Sequence, residues 1–244
     1  MKYAFTNGII LDGTKNMDPL EGKTILVSDD HIVDIIDEEA TEDMEKMALL
    51  TPSEDEYLKT GVFTLTKNRI GWLLILMITS TFTGQIIEGF ENQLATIAGL
   101  TACIPMLMGT GGNSGSQASV TVIRGLSLGE IDVRDILRVL WKEIRVSVLC
   151  GVSLAVACFV KIIFIDGMLL KTPGVTNNVA LVVALTLCLT VICAKVIGCV
   201  LPIIAKKMKL DPAVMASPFI TTVVDGVSLL VYFGIAKAFL PELM

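Results

Sequence analysis

The stretch that decides the fold is LVVALTLCLTVICAKVIGCV, residues 181–200, in which Lys195 is the only charged residue. A helix of about twenty apolar residues is long enough to cross a hydrocarbon core of about 30 Å. Outward from this stretch the chain stays apolar, with 53% hydrophobic and 18% charged residues and a mean hydropathy of +0.72. We therefore predict an all-α integral membrane protein with five transmembrane helices. They are placed at about 70–88, 94–123, 145–165, 179–205 and 212–240.

Acidic residues are concentrated ahead of these spans. Residues 1–60 contain 15 acids and 5 bases, whereas the remaining residues contain 10 acids and 14 bases. The change in composition predicts a short N-terminal segment (1–50), a connecting segment (51–69) and a transmembrane domain (70–244). Within the first segment, the residue pattern predicts strands at Gly8–Leu11 and Lys23–Val27 and an acidic helix at Asp29–Leu50. It contains too little apolar material for an independent core.

Charge and cysteine patterns exclude several kinds of partner and site. The sequence has no basic stripe with interleaved aromatic residues, so we predict no nucleic-acid partner. The six cysteines lie inside apolar stretches and never at CxxC spacing, which supports neither a disulfide framework nor a zinc site. They are Cys103, Cys150, Cys158, Cys188, Cys193 and Cys199.

Basic residues near the ends of the spans predict the orientation, because they are retained on the cytoplasmic side. Eleven lie on the side of the N-terminus and three on the other side. The eleven are Lys59, Lys67, Arg69, Arg124, Arg134, Arg138, Lys142, Arg145, Lys206, Lys207 and Lys209; the three are Lys161, Lys171 and Lys237. Met1–Phe5 does not begin a signal peptide. We expect a multi-pass protein of the cell (inner) membrane, with the N-terminus cytoplasmic and the C-terminus outside.

The segment Glu130–Arg145 has an apolar face and a charged face. Ser127 and Glu130 form a possible capping box before it. The apolar face comprises Val133, Leu137, Leu140, Trp141 and Ile144. Two interpretations remain open: an amphipathic helix on the cytoplasmic surface, or a solvated lead-in to the third span.

Asp225 is the sharpest functional candidate, because by helical rise it lies near the middle of the fifth span. An ionisable side chain at membrane depth costs several kcal/mol unless it faces water or a partner. Ser217 and Thr221 share its helical face, and Pro218 would free a backbone carbonyl beside them. Oxygen ligands along a water-lined helix suit a hard cation. The alternative is a structural carboxylate that pairs with Lys195.

The stretch GTGGNSGSQAS, residues 109–119, places small and polar residues inside the second span, where we expect the apolar helix to be interrupted. Three of its small residues recur at four-residue spacing: Gly111, Gly115 and Ser119. Such spacing lets helices approach closely, and unwound backbone at membrane depth must line a cavity or be buried in protein. Either Asn113 lines a hydrated path, or the stretch serves packing alone and Asn113 and Gln117 form interhelical hydrogen bonds.

Three further charged residues lie in or beside the spans. Glu88 and Glu91 close the first span on the predicted outer side, where two carboxylates would attract cations to an entrance. Solvated helix ends explain them nearly as well. Lys195 is unusual for a cation pathway, and it either snorkels, pairs with a carboxylate or faces away from the path.

The residues argue against an enzyme. Ser114 lies between glycines, as in an intramembrane serine protease, but a serine nucleophile needs a general base, and the single histidine, His31, lies outside every span. The glycine-rich stretch is not followed by the GK[ST] of a P-loop, and no HExxH motif of a metalloprotease occurs.

Over residues 70–240 the sequence is similar to the MgtE family of magnesium channels. The motifs that carry this resemblance are Gly89-Phe90-Glu91, Gly109 to Ala118, Ile123-Arg124-Gly125-Leu126, Asp211-Pro212-Ala213-Val214 and Ser217 to Asp225. The resemblance implies a homodimer in a lipid bilayer, whose pore runs along the subunit interface between the second and fifth helices. It also implies that Asp225 is the main ion-binding carboxylate and that Asn113, Thr221 and Ser217 line the same path.

The implied function is passive conduction of Mg2+, with Mn2+ or Co2+ as further candidate ions. Mg2+ dehydrates reluctantly, so two carboxylates and a few outer-shell oxygens suffice to hold it with most of its waters. Two other functions remain open: an ion-coupled secondary transporter and a non-conducting membrane scaffold.

The sequence departs from the family at two points. Family members carry a cytoplasmic helical domain and paired CBS sensor domains, whereas only Thr24–Ala48 resembles the end of a CBS domain. We therefore expect weak or no gating by cytoplasmic Mg2+, and a separate regulatory subunit stays possible. Lys195 and Ser217 replace other polar residues of relatives, and we expect Lys195 to point away from the path.

Overall fold

The computed structural model describes residues 2–11, 19–28, 31–37, 46–48, 60–90, 98–215 and 217–240 of the 244-residue chain. In these residues, three strands precede five long helices. The strands are β1 (Lys2–Leu11), β2 (Pro19–Ser28) and β3 (His31–Asp37). The helices are α1 (Val62–Gly89), α2 (Ala98–Ser127), α3 (Ile136–Lys161), α4 (Asn177–Lys207) and α5 (Ser217–Phe239). The five predicted spans are thus confirmed as helices.

The three strands form one antiparallel sheet in the order β1-β2-β3. Both predicted strands fall within β1 and β2, but the helix predicted over Asp29–Leu50 is wrong for residues 31–37. These residues read HIVDIID, a run rich in β-branched side chains, and they pair with β2, for example Ile35 with Ile25. β-branched residues suit a pleated strand, and pairing with β2 outweighs the helix-favouring acids that follow. The prediction agrees with the structure at residues 46–47, which are helical, and for residues 29–30, 38–45 and 49–50 it lies outside the described residues.

A short piece of the N-terminal region contacts the loop before α5. The Lys46 ammonium lies 2.9 Å from the Asp211 carboxylate. Met47 packs against Ile123 and Ala213, both of which are almost completely buried. Residues 46–48 are therefore attached to the end of the helical domain where α2 ends and α5 begins.

Helix α4 is the centre of the helical domain. It packs against α2, α3 and α5, and sixteen of its 31 residues are buried. The largest apolar cluster joins α2, α4 and α5 around Leu107, Leu187 and Tyr232, and the Tyr232 hydroxyl donates a hydrogen bond of 2.9 Å to the Leu100 carbonyl. α1 packs mainly on α5, where Phe90 stacks on Phe233 with ring centroids 4.3 Å apart.

Four helices in the described part of the chain are long and apolar enough to cross a membrane. They are α1, Val133–Leu169, α4 and Pro212–Phe239. α2 has the length of a span but contains the polar stretch 109–119. The chain is accordingly a multi-pass membrane protein, and α2 is confirmed as a helix while its membrane crossing stays a prediction.

The predicted interruption of α2 is wrong, because the helix runs without a break from Ala98 to Ser127 through all the glycines. Glycine in a helix interior costs up to about 1 kcal/mol relative to alanine, because its backbone loses more conformational entropy on folding. Here Gly111, Gly112 and Gly115 are buried against neighbouring helices, and that packing outweighs their low helix propensity.

The segment before the third span is a lead-in, not a separate surface helix. A 3₁₀ turn over Val133–Asp135 passes directly into α3, which ends in a π-helical stretch, Ile162–Leu169. The capping box before α3 is formed by Asp132 and Asp135, whereas Ser127, predicted as a capping residue, is the last residue of α2. The apolar face is also shifted, with Leu137 and Trp141 largely exposed. The residues that pack on the α2–α4 core are Ile131, Val133, Ile136, Val139 and Leu140.

Candidate functional site

Asp225 lies in the third turn of α5 and is half-buried. Among the described residues, no basic side chain pairs with its carboxylate and no donor forms a hydrogen bond with it. The pairing with Lys195 considered from the sequence is wrong, because the Lys195 ammonium is next to Glu143 instead. An unpaired carboxylate within a membrane-length helix needs water or a cation as its partner.

Thr221 lies one turn before Asp225 on the same side of α5, and Ser217 begins the helix. The Thr221 hydroxyl donates to the Pro218 carbonyl at 2.9 Å, and that of Thr222 donates to the same oxygen at 3.0 Å. Pro218 stands in the first turn of α5, where its missing N–H breaks no helical hydrogen bond, so the predicted freed carbonyl does not arise. The Thr221 oxygen therefore still has lone pairs with which it can accept hydrogen bonds.

The glycines of α2 bring this helix against α4 and α5. A Cβ atom built on Gly112 would lie 2.9 Å from Thr221 Cγ2, and one on Gly111 would lie 2.8 Å from Ser228 Oγ. One on Gly115 would lie 3.1 Å from the Ala194 carbonyl oxygen. These approaches are too close for any larger residue, so the predicted role of the small residues in close packing is confirmed.

The last small residue of the series also joins α2 to α5. The Ser119 hydroxyl is buried and donates a hydrogen bond of 2.8 Å to the Met215 carbonyl in the 3₁₀ turn before α5. Together with Gly112, this bond fixes the α2 surface that flanks Thr221.

Asn113 projects to a different side of α2, into a cavity of about 540 Å³. The cavity lies between α2, α3 and α4, and its polar lining consists of Thr110, Asn113, Ser114, Gln117, Ser153 and Lys195. The interhelical hydrogen bonds considered for Asn113 and Gln117 do not occur within the described residues, and both side chains are exposed. Asn113 therefore faces an open polar space, whereas Thr221 lies on the glycine side of the same helix.

Lys195 borders this cavity together with Asn113, so the expectation that it points away from the path residues is wrong for Asn113. Its side chain is only 8% exposed, and its ammonium lies 3.9 Å from a carboxylate oxygen of Glu143 in α3, itself 15% exposed. A buried ammonium persists at membrane depth only with a counter-charge. Glu143, which lies 52 residues earlier in the chain, provides this counter-charge.

Of the two carboxylates predicted at an outer entrance, only Glu88 is among the described residues. Glu88 is exposed one residue before the end of α1. Glu91 lies outside the described residues.

Comparison with known protein families shows to which family the chain belongs. The family model of MgtE, described as a divalent cation transporter, matches residues 104–235. The chain belongs to the MgtE family. The matched range contains Asn113, Ser217, Thr221 and Asp225, so the resemblance seen in the sequence is confirmed. Membership in a transporter family also confirms that the chain is not an enzyme.

Curated MgtE relatives align with most of the chain. It is 34% identical over 221 residues to the magnesium transporter MgtE of Thermus thermophilus, covering 90% of this chain and 47% of the relative. It is 37% identical over 218 residues to that of Bacillus subtilis, covering 89% and 46%. It is 28% identical over 216 residues to that of Enterococcus faecalis, covering 88% and 45%. The chain thus spans a little under half the length of these MgtE proteins.

Three polar residues of the helical domain were not singled out from the sequence. Glu143 lies in the segment Glu130–Arg145, for which a surface helix and a lead-in were both considered, although a buried Lys195 required some acidic partner. The Ser116 and Thr190 hydroxyls are buried in the α2 and α4 helices without a hydrogen-bond partner among the described residues. Thr190 is a hydroxyl in an otherwise apolar stretch, which was the available signal, whereas Ser116 lies in the polar stretch 109–119 among several other hydroxyls.

Proposed function

We propose that the chain conducts divalent cations, Mg2+ foremost, through a path lined by α2 and α5, with Asp225 as the main ion-binding group. The observation that carries this proposal is the half-buried Asp225 carboxylate, which has no protein partner within the described residues. A carboxylate so placed attracts cations, and hydroxyl and amide oxygens of Thr221 and Asn113 are suited to the waters of a hydrated ion.

Two copies of the chain would form the path. One carboxylate is too little for a divalent ion, whereas two Asp225 residues across a two-fold axis provide two charges and leave room for bound water. Exposed apolar side chains on α1, such as Phe63 and Phe82, support burial against lipid or a second copy. The orientation that we propose has the N-terminus in the cytoplasm, and it rests on the distribution of basic residues.

The first test is Mg2+ uptake into liposomes that contain the purified protein. We expect Asp225→Asn to lower uptake at least tenfold, because it removes the ion-binding charge and keeps the size of the side chain. Glu130→Gln is the matched control, since it removes an equal charge from an exposed loop residue. Uptake by Asp225→Asn at the rate of the control would refute the assignment.

The second test concerns the dimer. If the two Asp225 residues face each other, Asp225→Cys should form a disulfide between two copies under mild oxidation. Leu230→Cys, on an exposed position of the same helix, is the control and should remain monomeric on a non-reducing gel. Equal cross-linking of both variants would argue against a path at the two-fold axis.

A further inference from the structure

Lys195 and Glu143 form an ion pair between α4 and α3 inside the helical domain. The two charged atoms are 3.9 Å apart, which is too long for a strong hydrogen bond but close enough for strong Coulomb attraction where water is scarce. Glu143 is the only carboxylate within 4 Å of the Lys195 ammonium among the described residues. The charge of Lys195 is therefore balanced by one residue alone.

The pair borders the space that Asn113 faces. Lys195 and Asn113 are both part of the wall of the 540 Å³ cavity, and Cys150 lines it from α3. An uncompensated ammonium here would repel cations from Asn113, and it would repel a divalent ion twice as strongly as a monovalent one. The carboxylate of Glu143 cancels this field.

We propose that Glu143 is a charge-compensating residue for conduction: by neutralising Lys195 it keeps the Asn113 cavity open to divalent cations. Glu143 acts through Lys195 and does not bind the ion. The inference rests on the proposed function, and it adds that the Asn113 cavity, which lies on a different side of α2 from Thr221, belongs to the route that cations take. It accounts for a lysine in the wall of a space that cations use.

The test compares Mg2+ uptake by three variants in liposomes. Glu143→Gln should lower uptake at least tenfold, because it leaves the Lys195 charge uncancelled. Adding Lys195→Met to Glu143→Gln should restore uptake to within threefold of the unaltered protein, because the cavity is neutral again. An equal loss in the single and the double variant, or no loss in the single one, would overturn the proposal.

Asp166→Asn is the matched control. Asp166 also pairs with a lysine, Lys161, at 2.7 Å, but in the π-helical end of α3 and away from the cavity. This variant removes the same kind of ion pair, so uptake should stay within twofold. A tenfold loss here as well would mean that any broken ion pair impairs the protein, and it would overturn the role assigned to Glu143.

A second measurement keeps the proposal testable even where Glu143→Gln does not fold. The Cys150 thiol of the otherwise unaltered protein can be labelled with methanethiosulfonate reagents. The thiolate attacks the reagent, a mixed disulfide forms, and methanesulfinate is the leaving group. A label bearing a trimethylammonium group should lower Mg2+ uptake at least fivefold, whereas a sulfonate label of similar size should not. Cys150→Ala should abolish the difference. An equal effect of both labels would overturn the proposal, since bulk and not charge would then decide.

The two hypotheses fail in different ways. If Asp225→Asn abolishes uptake while Glu143→Gln and both Cys150 labels leave it unchanged, the proposed function stands and this inference is wrong. If Asp225→Asn leaves uptake unchanged, the proposed path itself is wrong and the inference falls with it.

Discussion

Helices α1 and α4 are both long and apolar enough to span a membrane, yet they occupy opposite environments. None of the 28 residues of α1, all of which are described, is buried, whereas about half of α4 is. α1 carries the aromatic side chains of Phe63, Trp72 and Phe82 and no alanine, whereas α4 has no aromatic residue but four alanines and three cysteines. In lipid, apolar side chains gain little by leaving the bilayer, so close packing between helices stabilises α4 in the core. Gly198 of α4 lies directly against the Gly115 backbone of α2, whereas the glycines of α1 have no neighbour within 4 Å.

The largest difference in stability between α4 and α1 is expected when a glycine of each helix is replaced by a larger residue. A Cβ atom on Gly198 in α4 would overlap the Gly115 carbonyl group of α2, and two helix backbones cannot yield as a flexible side chain does. We expect Gly198→Val to destabilise the protein by about 3 kcal/mol or more. Gly84→Val in α1, where nothing lies within 4 Å, should change stability by less than about 0.5 kcal/mol. The stability of both variants is measured as the fraction of protein that stays monodisperse after heating in detergent. A similar loss of monodisperse protein in the two variants would contradict the difference between α1 and α4.

Removing volume should have a smaller effect with the same asymmetry. Leu187 in α4 is 2% exposed within the main apolar cluster, and Leu187→Ala leaves a cavity that costs about 2 kcal/mol. Leu74 in α1 is 46% exposed, so Leu74→Ala should cost less than about 0.5 kcal/mol. Midpoints of thermal unfolding in detergent distinguish the two; an equal fall in both midpoints would place α1 in the core.

The smallest effect concerns hydroxyl groups. Ser119 in α2 donates to the Met215 carbonyl outside its own helix, whereas Ser80 in α1 donates to the Leu76 carbonyl in its own helix at 2.9 Å. Ser119→Ala should cost about 1 kcal/mol because a contact between elements is lost. Ser80→Ala should be neutral, since the Leu76 carbonyl keeps its backbone hydrogen bond. A Ser119→Ala variant as stable as Ser80→Ala would show that the hydrogen bond contributes nothing measurable.

Much of the helical domain could be predicted from sequence because its determinants are local. The lengths of the apolar stretches located five helices, and the spacing of Gly111, Gly115 and Ser119 identified the surface of α2 that packs closely. Helical periodicity also placed Thr221 and Asp225 on one side of α5. What these patterns could not decide was whether glycines break the helix, because that depends on the packing of α4 and α5 against them.

The remaining features depend on residues distant in sequence. Glu143 and Lys195 are on different helices, and only the packing of α3 on α4 brings them together. Likewise, no periodicity shows which side of the α3 lead-in meets the core. Ile136, Val139 and Leu140 pack on the α2–α4 core, and Trp141 is left exposed. β3 forms because β2 offers it an edge, which the acidic residues around it did not reveal.

The position of Trp141 determines what optical spectroscopy reports for this protein. The chain has two tryptophans, and neither is in the core: Trp141 is 61% exposed below Arg145 at the start of α3, and Trp72 is half-buried in α1. Intrinsic fluorescence therefore samples the perimeter of the molecule. A change confined to α2, α4 and α5 would leave the emission spectrum nearly unaltered, whereas quenchers placed in lipid and in water would distinguish the two indole rings by their depth.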